Sequence, residues 1–222
     1  MVTPRIFLLS PANCGGSRAR QLLSPNTRAA LAPRLHAPGG APIGEVFAFV
    51  SGLYFRGKLT YAQRFAAPPE VGHPVVGSGV LVITPNAGLR PPEHLLTAAE
   101  LRDLGRDLIT PDNPAYTEPL VRSSRVLLRE VGPDCEVILL GSIASPKYVD
   151  ILLDVFGEQL RFPLAFVGRG DMSRGGLLLR QAAAGEELEY GPVRGATRTG
   201  VRPPKLTPLR RPAGPVRSRA SS

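Results

Sequence analysis

The sequence predicts an α/β fold, with a single three-layer domain at residues 1–193 whose central sheet is mainly parallel. A basic, Pro/Arg-rich tail follows at 194–222, and we expect it to be disordered or loosely laid down on the domain. Apolar runs of five or six residues alternate with segments of helical spacing, which is typical of layered α/β domains. One run, residues 79–84, is continuously apolar, as in a strand buried on both faces.

The first half of the chain predicts two strands and two helices, with one segment left open. Residues 5–10 (RIFLLS) are apolar and closed by a Ser-Pro pair, so they form the first strand, and residues 79–84 form the next. A short helix at 27–35 ends at a Pro/Gly cluster, and a second at 59–65 stops before two prolines. Residues 46–51 (VFAFVS) fit either a strand or the start of a helix.

The second half predicts two further strands and four helices. Thr97 with Glu100 three positions later is the capping-box pattern of a helix start, and a second helix covers 119–131. Residues 136–140 (EVILL) form the strongest strand, and 160–162 a short last one. Ser145-Pro146 supplies an N-cap and a first-turn proline for a helix through residue 155. Asp171 is expected to cap a helix at 172–183, which Gly185 ends.

The formal charge of +9 is concentrated in the tail. Residues 194–222 hold eight of the 27 Lys and Arg residues and no acid, so residues 1–193 are close to neutral. The tail is either an arm for phosphate backbones or a solvated segment without a dedicated partner.

Composition excludes several classes of protein. No apolar run is long enough to cross a bilayer, and the run at residues 6–9 is too short for a signal-peptide core. Two cysteines, Cys14 and Cys135, suit a reducing compartment and exclude a Cys-rich zinc site. The three histidines have no helical i, i+4 partner. We therefore predict a cytoplasmic protein with no metal, no cofactor and no membrane partner.

Three Gly-bearing loops stand where ligands bind in α/β domains, beyond the carboxyl ends of strands or at helix starts. The first follows the first strand, the second follows the strand at 136–140, and the third precedes the last helix. We expect these loops to form one cleft for an anion or a nucleobase. The candidate ligand-binding residues are Asn13, Cys14, Gly15, Gly16, Arg18, Gly141, Ser142, Lys147, Tyr148, Arg169, Asp171 and Arg174.

The individual roles in these loops stay open at this point. Cys14 is a nucleophile, a residue lining the ligand site, or a plain turn cysteine. Lys147 either joins the helix N-terminus in holding a carboxylate or phosphate, or is solvated. Asp171 is an N-cap or a catalytic acid or base, and Arg169 and Arg174 suit bidentate contact with an anion. Neither the Gly-x-Gly-x-x-Gly nor the Gly-Lys-Ser/Thr motif is present.

One further segment mixes aromatic and basic side chains. In SGLYFRGKLTY, Tyr54 and Phe55 either stack on a base, with Arg56 and Lys58 beside them, or pack in the core. The second interpretation leaves Arg56 and Lys58 in solvent.

Several short motifs resemble a bacterial domain family allied to the peroxide-stress protein YaaA. The opening IFLLSPANCGG with the following Ala-Arg-x-Leu-x-Ser-Pro stretch, the segment at 82–92, and Arg-Gly-Asp-Met-Ser-Arg at 169–174 are similar to that family's motifs. Asn86-Ala87 stands where the family has Lys-Tyr. The resemblance implies an α/β shape related to uracil-DNA glycosylases and a link to nucleic acid or nucleobases.

Two functions follow as expectations. The first is binding or processing of nucleic acid or nucleobases through the anion-binding cleft, with the basic tail adding phosphate contacts. The second is a small-molecule enzyme acting on a phosphorylated or nucleoside-like substrate, for which the tail is irrelevant. The partner is accordingly nucleic acid, or a nucleoside or nucleotide ligand.

Overall fold

The computed structural model describes residues 3–204 and Leu206. In this part of the chain a six-stranded mixed sheet forms the centre, in the order β4-β3-β1-β6-β7-β8, and a two-stranded antiparallel pair, β2 and β5, lies apart from it. The strands are β1 (Arg5–Leu9), β2 (Ala41–Pro42), β3 (Val80–Ile83), β4 (Leu89–Arg90), β5 (Leu95–Leu96), β6 (Glu136–Leu140), β7 (Leu160–Pro163) and β8 (Tyr190–Pro192).

The inner strands of the sheet are parallel. β1 pairs with β3 on one side and with β6 on the other, and β6 pairs with β7, all in parallel. The outer strands β4 and β8 are antiparallel to their neighbours. The fold is therefore an α/β domain with a mainly parallel sheet, as the sequence predicts.

Eight α-helices cover the sheet within the described residues. They are α1 (Ser17–Leu23), α2 (Ala32–His36), α3 (Ile43–Ser51), α4 (Leu53–Phe65), α5 (Ala98–Leu104), α6 (Pro114–Val131), α7 (Pro146–Phe156) and α8 (Asp171–Ala184). Four consecutive residues of β1 are buried, and successive strand residues point to opposite faces, so both faces of the sheet are covered. On one helix layer α4 packs against α8 and contacts β1 and β3, while α6 and α7 pack together elsewhere.

The four predicted strands are confirmed to within one residue at each end, whereas several helix bounds differ. The open segment at 46–51 belongs to a helix, because Ile43, Val46, Phe47 and Val50 bury one helical stripe. The predicted helix at 27–35 begins only at Ala32. The helices predicted at 59–65 and 119–131 begin earlier, at Leu53 and Pro114.

The start of α8 differs from the sequence prediction. Gly170 is the N-cap, and Asp171 is the first helical residue, so Asp171 does not cap the helix with its side chain. Its carboxylate instead lies 3.4 Å from Nη1 of Arg174, one turn along the helix. A negative charge in the first turn also suits the helix dipole.

The described part of the tail, residues 194–204, contains no helix or strand and lies along the domain. Arg194 Nε is 2.6 Å from a carboxylate oxygen of Glu158, and Arg198 Nη2 is 2.7 Å from one of Asp150. The predicted disorder of residues 207–222 lies outside the described residues. No helix in the described chain has the length and apolar character needed to span a membrane.

Candidate active site at the ends of β1 and β6

A cleft of about 580 Å³ opens where β1 and β6 end. Leu9 and Leu140 are register partners on these two parallel strands, so the loops that follow them leave the sheet side by side. Ser10 begins the first loop, and Ser142 lies in the second. The segment from Leu104 to Thr110 forms another wall. We call this space the β1–β6 cleft.

Seven of the predicted site residues line the β1–β6 cleft, from all three predicted loops. They are Asn13, Cys14, Gly15, Ser142, Lys147, Tyr148 and Asp171. The other five, Gly16, Arg18, Gly141, Arg169 and Arg174, are not in its lining. Thus Asn13 and Ser142 share one cavity as expected, and Arg169 stands outside it.

Two glycines beside the cleft allow close packing. A Cβ on Gly141 would lie 2.8 Å from the Tyr148 hydroxyl oxygen and 2.9 Å from Ser10 Cβ. A Cβ on Gly15 would lie 3.0 Å from the carbonyl oxygen of Gly105, on the opposite wall. A Cβ at Gly141 would require a neighbour to shift, and a Cβ at Gly15 would make an unusually tight contact, so glycine suits both positions.

A buried lysine lies directly beneath the cleft. Lys58 on α4 is 1% exposed, and its Nζ lies 2.6 Å from the backbone oxygen of Ser10 and 2.8 Å from Ser10 Oγ. The ammonium nitrogen is also 4.5 Å from the ring centroid of Tyr54 and 4.8 Å from that of Phe55. Phe55 is fully buried, as the core-packing interpretation predicts, and Tyr54 is buried but also lines the cleft. The expectation that Lys58 is solvated is wrong.

The environment of Lys58 favours its neutral form. Burial lowers the pKa of Lys58 to about 7, and the negative charge of nearby Asp171 opposes that shift. In the described chain no carboxylate lies within ion-pair distance of Lys58. The Ser10 oxygens and two aromatic rings are therefore its nearest partners.

Tyr148 extends this group of polar side chains across the end of the sheet. Its hydroxyl oxygen accepts a hydrogen bond of 2.9 Å from the Ser142 backbone N–H and lies close to Ser10. Burial raises the pKa of Tyr148, and the contacts with Ser10 and Ser142 oppose that rise. Lys58 with Ser10, and Tyr148 with Ser142, thus form two adjacent hydrogen-bonded pairs at the floor of the cleft.

The loop after β1 offers unpaired hydrogen-bond donors. Among the described residues, the backbone N–H groups of Ala12, Asn13, Cys14 and Gly15 have no hydrogen-bond partner. All four residues line the β1–β6 cleft. Successive peptide N–H groups of this kind suit a negatively charged or strongly polar ligand atom.

Cys14 lines the cleft in an environment that disfavours its thiolate. It is 4% exposed, its sulfur lies 3.6 Å from the carbonyl oxygen of Ala12, and burial raises the pKa of the Cys14 thiol to about 12. Because the thiolate is the nucleophilic form, this cysteine is better suited to lining the cleft than to attacking a substrate.

The two arginines of the third loop make contacts within the protein. Arg174 is buried, and its Nε and Nη2 donate to the backbone oxygen of Phe166 at 3.3 and 3.2 Å. Arg169 donates to the Ala165 oxygen at 2.9 Å and to Ser173 Oγ at 3.2 Å. Both side chains fix the start of α8, whose Asp171 reaches the cleft.

No family model, no curated protein and no solved structure matches this chain. The resemblance to the YaaA-allied family accordingly stays a sequence-based expectation. Function must be inferred from the cleft itself. In the described residues no group of three or more His, Cys, Asp or Glu side chains is placed to hold a metal ion.

A second depression adjoins the cleft. It is lined by Arg18 and Arg56, among others, and shares Ser51 with the β1–β6 cleft. Both arginines are exposed, and neither has an acidic partner in the described chain; Arg18 Nη1 lies 3.4 Å from the backbone oxygen of Phe49. We call this depression the arginine shoulder.

The candidate residues predicted from the sequence do not include Ser10, Lys58 or Tyr54, although base stacking by Tyr54 with Lys58 beside it is one of the two interpretations given for that segment. For Lys58 a signal exists, because it falls on the buried stripe of α4 formed by Tyr54, Phe55, Tyr61 and Ala62. A lysine at such a position is rarely buried without a specific partner. That partner, Ser10, is 48 residues away in the chain and only the fold brings it close.

Proposed function

We propose that the protein is an enzyme that acts on a phosphorylated, nucleoside-like small molecule bound in the β1–β6 cleft. The observation that carries this proposal is the joining of a hydroxyl-rich cleft to the arginine shoulder at Ser51. A volume of about 580 Å³ lies within the range of small-molecule sites.

The lining of the cleft suits a sugar or a nucleobase. Seven hydroxyl-bearing side chains contribute to it, and three charged ones. The hydroxyls belong to Ser10, Ser51, Tyr54, Thr110, Ser142, Ser145 and Tyr148, and the charges to Asp107, Lys147 and Asp171. Hydroxyls both donate and accept hydrogen bonds, as sugar hydroxyls and base edges require.

The arginine shoulder suits the phosphate of the same ligand. Arg18 and Arg56 present guanidinium groups, which bind phosphate oxygens in a bidentate manner. The shoulder and the cleft share Ser51 in their linings, and we expect one ligand of nucleotide size to extend from the cleft to the shoulder. Lys147, at the start of α7, supplies a further positive charge inside the cleft.

Thermal-shift measurements with nucleosides and their monophosphates test the proposal. A ligand present at 100 times its Kd stabilises the protein by about 2.7 kcal/mol, so a specific ligand raises Tm measurably. We expect a monophosphate to give the larger rise, and Arg18→Ala with Arg56→Ala to abolish only the increment due to phosphate. Arg28→Ala, an exposed arginine that lines neither depression, is the matched control. Equal shifts in the double variant and the control would contradict the proposal.

A second candidate, nucleic-acid binding, is favoured by the charge on α6. Arg122, Arg125 and Arg129 are exposed and lie at helical spacings of three and four residues, so they share one face. With the basic tail they would contact phosphate backbones, and the affinity for duplex DNA would then fall with salt.

A salt series with a labelled duplex tests this second candidate. Truncation after Leu206 keeps the ion pairs of residues 194–204 with the domain and removes Arg210, Arg211, Arg217 and Arg219. The slope of log K against log salt becomes shallower by about 0.9 for each phosphate that the protein no longer neutralises. We expect shallower slopes for the truncation and for alanine at the three α6 arginines. Absence of salt-dependent binding in the full chain would rule out this candidate.

A further inference from the structure

We propose that Ser10 is a nucleophile and Lys58 its general base, and that the β1–β6 cleft hydrolyses a carboxylic ester through an acyl-serine intermediate. This inference rests on the proposed function, because it assigns a reaction to the same cleft. It stands on the position of the Ser10 hydroxyl between a buried amine and a cavity.

The proposed base lies within hydrogen-bond distance of the proposed nucleophile. Lys58 Nζ is 2.8 Å from Ser10 Oγ, within the range in which a base removes a proton directly. Ser10 lines the cleft, and Lys58 is buried directly behind the Ser10 hydroxyl, next to the atoms that react there. The second contact, to the Ser10 backbone oxygen at 2.6 Å, fixes the direction of the amine.

The hydrogen bonds at the cleft floor are consistent with a neutral Lys58. The Ser142 N–H donates to the Tyr148 oxygen, and Lys58 Nζ lies 2.8 Å from Ser10 Oγ, a distance at which a neutral amine can accept the Ser10 hydroxyl proton. An N–H of the amine then donates to the Ser10 carbonyl oxygen. With Lys58 neutral, the Ser10 proton therefore points at the base.

The titratable groups near Lys58 come from α8, α7 and α4. Asp171 on α8 acts on Lys58 electrostatically and is within ion-pair distance of Arg174. Tyr148 on α7 lies close to Ser10, and the Tyr54 ring centroid on α4 is 4.5 Å from Lys58 Nζ. Burial lowers the pKa of Lys58 to about 7, so that both protonation states are populated near neutral pH.

The unpaired backbone N–H groups of the Ser10 loop can stabilise the developing oxyanion. They belong to Ala12, Asn13, Cys14 and Gly15, immediately after the nucleophile in the chain. Preorganised peptide donors next to an attacking serine are the usual means of stabilising the negative oxygen in acyl transfer.

The reaction balances with water as the second substrate. Lys58 Nζ takes the proton of the Ser10 hydroxyl while Oγ bonds to the carbonyl carbon and the carbonyl electron pair moves to oxygen. The carbon–oxygen bond to the leaving alcohol then breaks, and the alkoxide takes the proton from Lys58. A water molecule attacks the acyl carbon with Lys58 as base; the carboxylic acid leaves, and Ser10 Oγ regains its proton from Lys58.

Labelling with an alkyl fluorophosphonate tests the assignment. The probe bonds its phosphorus to an activated serine oxygen and loses fluoride, and peptide mass spectrometry locates the label. We expect the label on Ser10, with a rate that rises about tenfold per pH unit below pH 7 and levels above it. The same pH profile is expected for hydrolysis of p-nitrophenyl acetate.

Substitutions of Lys58 test whether it acts as the general base. Lys58→Met and Lys58→Arg both remove the neutral amine, and we expect each to slow labelling by at least about a hundredfold, whereas Arg28→Ala labels at the wild-type rate. The proposal is overturned if the label lands on another residue, if wild-type protein is not labelled, or if the rate is flat across the pH range around neutrality. Nucleotide stabilisation that persists without labelling would overturn the reaction and leave the binding proposal intact.

Discussion

At the scale of single residues, the least expected feature is an amine placed in the core without a carboxylate partner. Removing Lys58 from water costs free energy that the two Ser10 contacts and the aromatic rings offset only in part, and the lowered pKa reflects this cost. A buried residue that lowers the free energy of unfolding is typical of a functional site.

The pH dependence of stability tests the burial of Lys58. Between pH 7 and its ordinary pKa of 10.5 the unfolded chain keeps the Lys58 proton and the folded protein loses it, so the free energy of unfolding rises with pH. The titration of Lys58 contributes at most about 1.4 kcal/mol per pH unit to the slope of the free energy of unfolding against pH. We expect denaturant unfolding from about pH 7 to about pH 9.5 to show the rise in wild-type protein. Lys58→Met should lack it, and parallel curves for the two proteins would contradict the burial.

A second prediction at this scale concerns Gly141. Gly141→Ala places a methyl group 2.8 Å from the Tyr148 hydroxyl oxygen, so Tyr148 must shift and its hydrogen bond with Ser142 is disturbed. We expect a loss of about 1–3 kcal/mol in the free energy of unfolding, measured by urea titration. Gly39→Ala, where no atom lies within 4 Å of the new methyl, is the control and should change stability by less than about 0.5 kcal/mol.

At the scale of secondary structure, the elements that build the cleft are those whose local signals are strongest. β6 matches the prediction at both ends, and α5 carries the capping box that the Thr97–Glu100 spacing predicts. α5 leads into Gly105, whose backbone packs on the loop after β1. The orientation of α5 therefore affects one wall of the cleft.

Thr97→Ala tests the role of this cap. The Thr97 hydroxyl accepts from the Glu100 N–H at 3.3 Å, and a Glu100 carboxylate oxygen accepts from the Thr97 N–H at 2.7 Å. Loss of the hydroxyl should lower the free energy of unfolding by about 1 kcal/mol, as measured by chemical denaturation. Thr97→Ser keeps the oxygen and should retain most of the stability. An alanine variant as stable as wild type would show that the cap is dispensable.

Sequence patterns predict the four parallel strands β1, β3, β6 and β7, but not the short antiparallel strands β2, β4, β5 and β8, several helix starts or the whole of the site. Apolar runs such as 136–140 identify buried strands, because burial on both faces requires continuous apolar residues. The starts of α3 and α4 are not predicted from the sequence. Gly52, whose φ is +64°, ends α3 and begins α4, and a single glycine in the sequence does not reveal such a junction. Lys58 and Ser10 were missed because a pairing across 48 residues has no local signature.

At the scale of the whole molecule, the parallel pairing of β1 with β6 accounts for the position of the cleft. It brings two loops from distant parts of the chain to one edge of the sheet, and α8 adds Asp171 from a third. The arginine shoulder at α1 and α4 lies beside this edge, while the arginines of α6 line other depressions. Small-molecule binding and nucleic-acid binding thus belong to separable surfaces, and variants of one should spare the other.

The most direct test of the proposed site is a crystal structure of the protein with the nucleoside monophosphate that raises its Tm most. We predict that the sugar and base lie in the β1–β6 cleft above Ser10 and Tyr148, with phosphate oxygens about 3 Å from the guanidinium of Arg18 or Arg56. A nucleotide seated against α6 near Arg122, with the space above Ser10 empty, would contradict the proposed site.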